Sequence, residues 1–507
     1  MARTGLRALP DPDITDTPST VQLYERLLAG FRSYAAARLL TQVVSWAGTV
    51  YIVRKLDSHA FGLFGISLVA FNYVSMVYDG TLTETIVQRY PATAAARRSV
   101  FTLLLGIGVL TTGVMAALAE PVAFLMNEPR VGPLIGTLSC ALLLTSLTVL
   151  PHATLIRQMA FPRLAIISGL QAIITTVTSV ALAYSGAGPW SMVLAMVAGM
   201  AVRAVALNIV APCILAPTRH LREAFSYLRF GGVLLVDNIL WRWYVSLDTF
   251  LLGRWSGATS LGYYSVAQQL ADMPLEKIST IANDVALPAY AELSADKRGA
   301  AQLMLETIRT HATVGFPIFW GLAAVANTAV PVLFGAKWDL SILPLMALCA
   351  VAPLRLIGSV ETPAMTGLGR PGVLLQTKLI IAPVMTIALI VGARFGGING
   401  AALAWLVAFP MCYALAFRLV LRAAELPYRV VVGVIRGPAT AAALMFAVVR
   451  AWEIALAATG LASIVILASA IVIGAVIYAG ALRLVDGDAF RLAHSRFGHF
   501  LGLRQPQ

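Results

Sequence analysis

Residues 248–265 read DTFLLGRWSGATSLGYYS, and residues 52–67 read IVRKLDSHAFGLFGIS. Each places an Arg, then seven residues, then a Gly with an aromatic two positions on. The offset is the same for both landmarks, 254 − 54 = 200 and 262 − 62 = 200. A second echo follows each copy: IVQRYPA at 86–92 and VALPAYAEL at 285–293 both end an apolar run with a Pro and a Tyr, ahead of a basic segment. The chain therefore reads as two copies of one unit.

The medium in which those copies sit follows from composition. Of 507 residues, 59% are hydrophobic and 12% charged, about half the ~25% charge usual in soluble domains, and the mean hydropathy is +0.81. Such a chain is an integral membrane protein. Backbone groups in lipid must bond within the segment, so the choice is helices or a closed barrel. The apolar runs are of ~20-residue length and do not alternate, so the class is all-α and polytopic.

Fourteen spans are expected, near 34–53, 60–78, 97–119, 131–150, 163–184, 189–212, 229–253, 262–288, 303–333, 341–366, 373–393, 398–421, 429–449 and 458–482. Spans eight and nine run long and carry polar residues, so they are expected either to extend into the cytosol or to kink at Pro274 and Pro317. Basic residues distribute unevenly over the connections. Arg89, Arg97, Arg98, Arg157, Arg163, Arg219, Arg222, Lys297, Arg298, Arg370, Arg422 and Arg429 fall on one side with the tail, and Arg54, Lys55, Arg130, Arg254, Lys337, Arg394 and Arg450 on the other. The positive-inside rule then puts both termini in the cytosol. Six spans, an even number, separate Arg54 from Arg254, so the copies emerge on one face as parallel repeats about an axis along the membrane normal.

Other classes are disfavoured. The first twenty residues are polar and Pro-rich, without the apolar core of a signal peptide, and residues 20–34 suit an amphipathic surface helix or a tether. Cys140, Cys213, Cys349 and Cys412 fall in four separate apolar runs and read as small hydrophobes, with no metal or redox spacing. TGLGRPG holds Gly367, Gly369 and Gly372 in a GxGxxG spacing, but with Pro371 in the turn and no strand before it, so it reads as a turn between spans. The net charge of +13 lies on cytosolic loops, where topology and anionic headgroups account for it without nucleic acid. No phosphate loop or hydrolase motif is present, so neither ATP hydrolysis nor an enzyme activity is expected, and no cofactor or metal.

The run from Arg229 to Leu293, then VPVLFGAKWDLSILPLMALC (330–349) and TGLGRPG (366–372), resembles the polysaccharide-transport branch of the multidrug/oligosaccharidyl-lipid/polysaccharide exporter superfamily, closer to the exopolysaccharide type. The likeness covers about residues 30–425 and is strongest at the repeat junction (Arg54, Gly62; Asp248, Arg254, Gly262, Tyr264), at Pro288 and at the Phe334-Gly335…Lys337-Trp338 loop. It implies two six-helix lobes around a central cavity with a peripheral C-terminal pair. The divisions would be a tail 1–33, an N-lobe 34–215, a linker 216–228, a C-lobe 229–421, the pair 422–483 and a tail 484–507. It further implies a flippase for undecaprenyl-diphosphate-linked oligosaccharides in the bacterial inner membrane, with a polysaccharide polymerase and chain-length or export proteins as partners. Runners-up are a lipid II flippase of the same fold, a cationic-drug exporter of the superfamily, and a membrane enzyme or scaffold in polysaccharide synthesis.

Charges within spans carry the chemistry, because an ionised side chain in mid-membrane costs at least ~2.5 kcal/mol and faces a wet cavity or a partner. Span seven holds Asp237, Arg242 and Asp248. At ~100° per residue the two aspartates share a face and Arg242 points away from both. With Arg38, Arg203, Lys277 and Arg355, Arg242 makes a candidate set for a diphosphate, which guanidinium forks bind bidentately. The plainer readings are headgroup snorkelling for Arg38, Arg203 and Lys378, ion pairs from Arg242 and Arg355 to Asp237, Asp248 or Glu361, and local pairing of Lys277 with Asp272 and Glu276. Asp237, Asp248 and Glu361 are candidates for a coupling ion or proton, or for structural pairs. Asp248 could instead brace the turn through Arg254 or backbone. Tyr263, Tyr264, Trp338 and Trp190 read as interfacial belt anchors.

Overall fold

The computed structural model describes residues 41–491 apart from short stretches, chiefly 79–85 and 87–90, and leaves the side chains of 225–238 and 280–285 undescribed. Arg38, the 20–34 segment and the side chain of Asp237 lie outside the described residues.

The elements are helical, with no strand among the described residues. A helix over 44–55 (α1) leads through Asp57 into α2, Ser58–Ser75. Then come α3 (Ala94–Met126), α4 (Val131–Arg157), α5 (Phe161–Tyr184) and α6 (Trp190–Val210). The second copy follows as α7 (Arg222–Glu292), α8 (Lys297–Phe334), a 3-10 turn (Ala336–Ser341), α9 (Ile342–Gly358), α10 (Glu361–Gly367) and α11 (Gly372–Ala423). Two more helices close the chain, α12 (Tyr428–Ala457) and α13 (Ser463–Val485). Local chemistry sets several starts: Asp57 accepts from the Ala60 amide at 2.8 Å, Thr93 from Ala96 at 3.0 Å, and Asp296 from Gly299 at 3.0 Å, each satisfying an orphan donor of a first turn.

Two helices are too long for one crossing. A straight α7 of 71 residues would reach about 106 Å, against the ~30 Å of a hydrocarbon core. Its one non-helical residue is Gly257, at φ 79° and ψ 167°, a conformation that costs a side-chain-bearing residue dearly. The chain folds back there, because Asp248 and Tyr264 on either side of Gly257 hydrogen-bond at 2.6 Å. The break falls between expected spans seven and eight, and α7 runs on through Pro274, as α8 runs through Pro317. The 52-residue α11 reverses in the same way at Gly397.

Nine helices among the described residues are long and apolar enough to cross a bilayer. The count of fourteen is not reached by that measure, since expected spans eleven and twelve share α11, α2 (span two) and α7 (spans seven and eight) do not meet it, and the first lies partly outside the described residues. Helix α12 packs on α8, and α13 packs on both. The Tyr478 hydroxyl on α13 donates to the Thr313 carbonyl at 2.7 Å, and Arg450 on α12 pairs with the buried Glu453 at 2.9 Å. The last pair therefore leans on the second copy from outside. Away from the bilayer, Lys297 meets Glu425 at 2.6 Å and holds that exposed carboxyl below the usual range.

Candidate functional site

The repeated junction is where the two halves touch. A Cβ built on Gly62 would lie 1.7 Å from the Ala258 carbonyl oxygen, and one built on Gly262 would lie 1.7 Å from the Ser58 oxygen. The contacts exchange under the 200-residue offset, since 58 + 200 = 258 and 62 + 200 = 262. Ser58-x-x-x-Gly62 and Ala258-x-x-x-Gly262 are thus two small-x-x-x-small segments crossing backbone to backbone, a means by which helices associate without a hydrophobic driving force between them. The repeat was written twice because both halves must present a backbone without a side chain at one crossing.

The same end is fastened by exchanged helix caps. Arg54, ending α1, donates from Nε to the Leu333 carbonyl at 2.6 Å and from Nη2 to Val332, at the C-terminus of α8. Lys337 reciprocates, with Nζ 2.7 Å from the Arg54 carbonyl and 2.6 Å from Leu56. Trp338 donates its indole N–H to Val53 at 2.9 Å. Cations at helix C-termini satisfy orphan carbonyls and complement the dipole. Trp338 is fully buried, edge-on to Phe61 of α2 and Tyr263 of α7 at 5.4 and 5.7 Å. It is a wedge between the halves rather than a belt anchor, and Tyr264, also fully buried, is not a belt residue either. Arg254, the counterpart of Arg54, is exposed.

Deeper along α7 the charges gather. Asp248 is sealed at 0% exposure, accepting from the Tyr264 hydroxyl at 2.6 Å, the Trp405 indole at 3.0 Å and the Thr249 amide at 2.7 Å. Its partners are these donors rather than Arg254. Trp405 lends its ring face to Arg355, whose guanidinium carbon lies 5.0 Å from the ring centroid. Arg355 in turn reaches Asp272 at 2.7 Å, with side-chain exposures of 12% and 23%. The partner of Arg355 is therefore none of the three carboxylates expected from the sequence. Asp272, Lys277, Arg242 and Arg355 all lie within electrostatic range of Glu276. Arg242 packs over Trp241 at 5.1 Å, and its carbonyl accepts from the Tyr73 hydroxyl of α2 at 3.4 Å.

The cluster lies about half a membrane's thickness along α7 from the crossing. From Gly262 to Asp272 is ten residues, about 15 Å of helix, half the ~30 Å core. Of the sequence candidates, Arg242, Arg355 and the exposed Lys277 converge there. Arg203 stays in the first half, donating to Gln171 at 3.2 Å with His152 near it. Glu361 is buried at 8%, with Lys378 and Tyr413 close by.

Asp272 and Trp405 are the residues that sequence reasoning missed. Asp272 and Glu276 stand four apart on one helical face, and two carboxylates within a span were a signal in themselves. Trp405 gave none, being 157 residues from the aspartate it holds. The 200-residue register sharpens the point: Asn72, Gln42 and Gly48 occupy the positions of Asp272, Arg242 and Asp248. The charge belongs to the second copy alone.

Comparison with known proteins agrees with this arrangement. The lipid II flippase MurJ, solved in an inward closed conformation, superposes with a TM-score of 0.74 over 89% of this chain and 98% of that one, at 13% identity. An inward-facing multidrug transporter of the same superfamily gives 0.60 over 77% of this chain and 98% of its own, at 16% identity. At such identities the likeness is one of fold. Among curated relatives, the lipopolysaccharide biosynthesis protein WzxC of Escherichia coli K12 is 25% identical over 76% of this chain and 79% of its own length. The succinoglycan biosynthesis transport protein ExoT of Rhizobium meliloti is 25% identical over 79% and 81%. The family model described as polysaccharide biosynthesis protein matches residues 51–343, from the first repeat junction to the 3-10 turn of the second half, and the chain belongs to that family.

Proposed function

We propose that this chain is a flippase that carries undecaprenyl-diphosphate-linked oligosaccharide repeat units across a bacterial inner membrane by alternating access between its two halves. The observation that carries the reading is that Arg242, Lys277 and Arg355 all lie within electrostatic range of Glu276, with the two from α7 at positions whose first-copy counterparts, Gln42 and Val77, are uncharged. Fixed cations in a low-dielectric setting suit a diphosphate, and Arg suits it best because its fork matches phosphate oxygens. The polyprenyl tail stays in the bilayer, so only phosphate and sugar need a polar path. An exporter of organic cations would want the opposite charge. The uneven basic loops support cytosolic termini, which puts the Gly62–Gly262 crossing on the outer face. That crossing then closes the outer side, as a carrier needs while it loads from the cytosol. Delivery to a polysaccharide polymerase follows from the product's location.

Replacing Arg242 with Gln tests this. Translocation of a fluorescent undecaprenyl-diphosphate oligosaccharide in proteoliposomes should fall about tenfold, the worth of one charge-assisted phosphate contact, with folded yield unchanged. Transport at the wild-type rate by both Arg242→Gln and Arg355→Gln would remove the diphosphate site from the account.

A further inference from the structure

Asp248 and Asp272 of α7 are held differently, and the difference assigns one of them a task. Asp248 is fully sealed by three donors. Asp272 meets Arg355 through one Nη1–Oδ1 contact at 2.7 Å and keeps 23% of its side chain exposed. Resting on the flippase reading above, we propose that Asp272 is the resident counter-anion of the substrate site: it neutralises Arg355 in the empty carrier and is displaced when a polyprenyl diphosphate takes its place.

Four features suit the pair to exchange. Arg355 has a support besides Asp272, because the Trp405 ring packs on the guanidinium face at 5.0 Å and Asp248 accepts from that indole at 3.0 Å. A guanidinium carries five donors, and the contact to Asp272 engages one nitrogen, whereas a phosphate takes a fork.

Asp272 also stands two residues before Pro274. A proline cannot donate to the carbonyl four residues back, here Leu270, so the turn bearing Asp272 lacks one rung and yields more readily than its neighbours. Finally, the fold does not demand a carboxylate at this place, since the first copy carries Asn72 there.

Exchange keeps the site near neutrality in both states. An Arg355 left alone would be an uncompensated charge in a poorly hydrated interior, and leaving one partner of such a pair is the costly outcome. A returning Asp272 therefore helps expel the diphosphate after the carrier has reoriented. Asp272 acts through Arg355 and is a positioning residue, so its removal should separate binding from turnover.

The test is Asp272→Asn in the full-length protein. Binding of farnesyl diphosphate is read by calorimetry in detergent, and flipping of the undecaprenyl-diphosphate oligosaccharide in proteoliposomes. Binding should tighten about tenfold while turnover falls, so that KM and kcat drop together, and Asp272→Glu should restore both toward wild type. Asp272→Ser carries the same expectation should the asparagine variant fold poorly. Unchanged or weaker binding in folded Asp272→Asn and Asp272→Ser, with Arg355→Gln abolishing it, would overturn the proposal and leave the flippase reading standing. If wild type and Arg355→Gln bind farnesyl diphosphate equally or not at all, the substrate reading fails and this proposal with it.

Discussion

Replacing Gly262 with alanine should lower transport at least about tenfold and open the crossing to water-soluble probes. The added methyl would sit 1.7 Å from the Ser58 carbonyl oxygen, and carbon meets oxygen comfortably only beyond ~3.3 Å. Neither atom belongs to a flexible side-chain end, so α2 and α7 must part by about 1.5 Å or tilt. Dense interiors resist such a shift, and the exchanged caps of Arg54 and Lys337 across the same end have no slack to follow it. Gly62→Ala should match it, because its methyl would meet Ala258 at the same 1.7 Å. The check is a cysteine at Ser67, fully buried on α2: a membrane-impermeant maleimide added from outside should leave it unlabelled in the parent and label it in either alanine variant. Equal protection in all three would mean that the crossing does not seal that face.

Asp248→Ala should be the most destabilising single change within α7. It strands the Tyr264 hydroxyl and the Trp405 indole, at 2.6 and 3.0 Å from a lost oxygen and closed to water, and takes from the mid-helix Thr249 amide its side-chain acceptor. Each orphaned buried donor costs about 1–3 kcal/mol, so a loss of about 3–5 kcal/mol is expected after partial relaxation. It reaches function through Trp405, which supports Arg355. Thermal unfolding followed by the fluorescence of a thiol-reactive dye at buried Cys349 measures the stability. A shift no larger than that of a surface variant would mean that the Tyr264 and Trp405 donors find other partners. Asp248→Asn keeps one acceptor oxygen and should fall between.

How much of this was legible in the sequence depends on the scale of the interaction. The repeat was readable because a backbone crossing demands glycine at both 62 and 262, and a demand made twice leaves two marks. What the glycines touch was not readable, since each meets the other copy four residues upstream of its partner glycine, and only packing shows that. Helical content and approximate spans followed from apolar length, and both breaks fall where expected spans part, Gly257 between 253 and 262 and Gly397 between 393 and 398. Trp338 illustrates a limit of depth arguments. An aromatic placed near an expected interface was read as a belt residue, yet its ring wedges between Phe61 and Tyr263.

The charges divide similarly. Arg242 and Arg355 announced themselves by type, as rare cations in apolar runs, and both lie within electrostatic range of Glu276. Their partners did not, because pairing is a matter of tertiary contact. Asp272 looked like a local mate for Lys277, but 83 residues on it meets Arg355. Arg203 has the same residue type and the same kind of run, yet hydrogen-bonds Gln171 inside the first half.

The most direct test of the account is translocation by the purified protein in proteoliposomes, using a fluorescent undecaprenyl-diphosphate oligosaccharide alongside a cationic dye. The account predicts movement of the lipid-linked sugar across the bilayer and none of the dye. Movement of the dye alone, or of neither, would contradict it, leaving the cations of α7 and α9 without the anion they are read to hold.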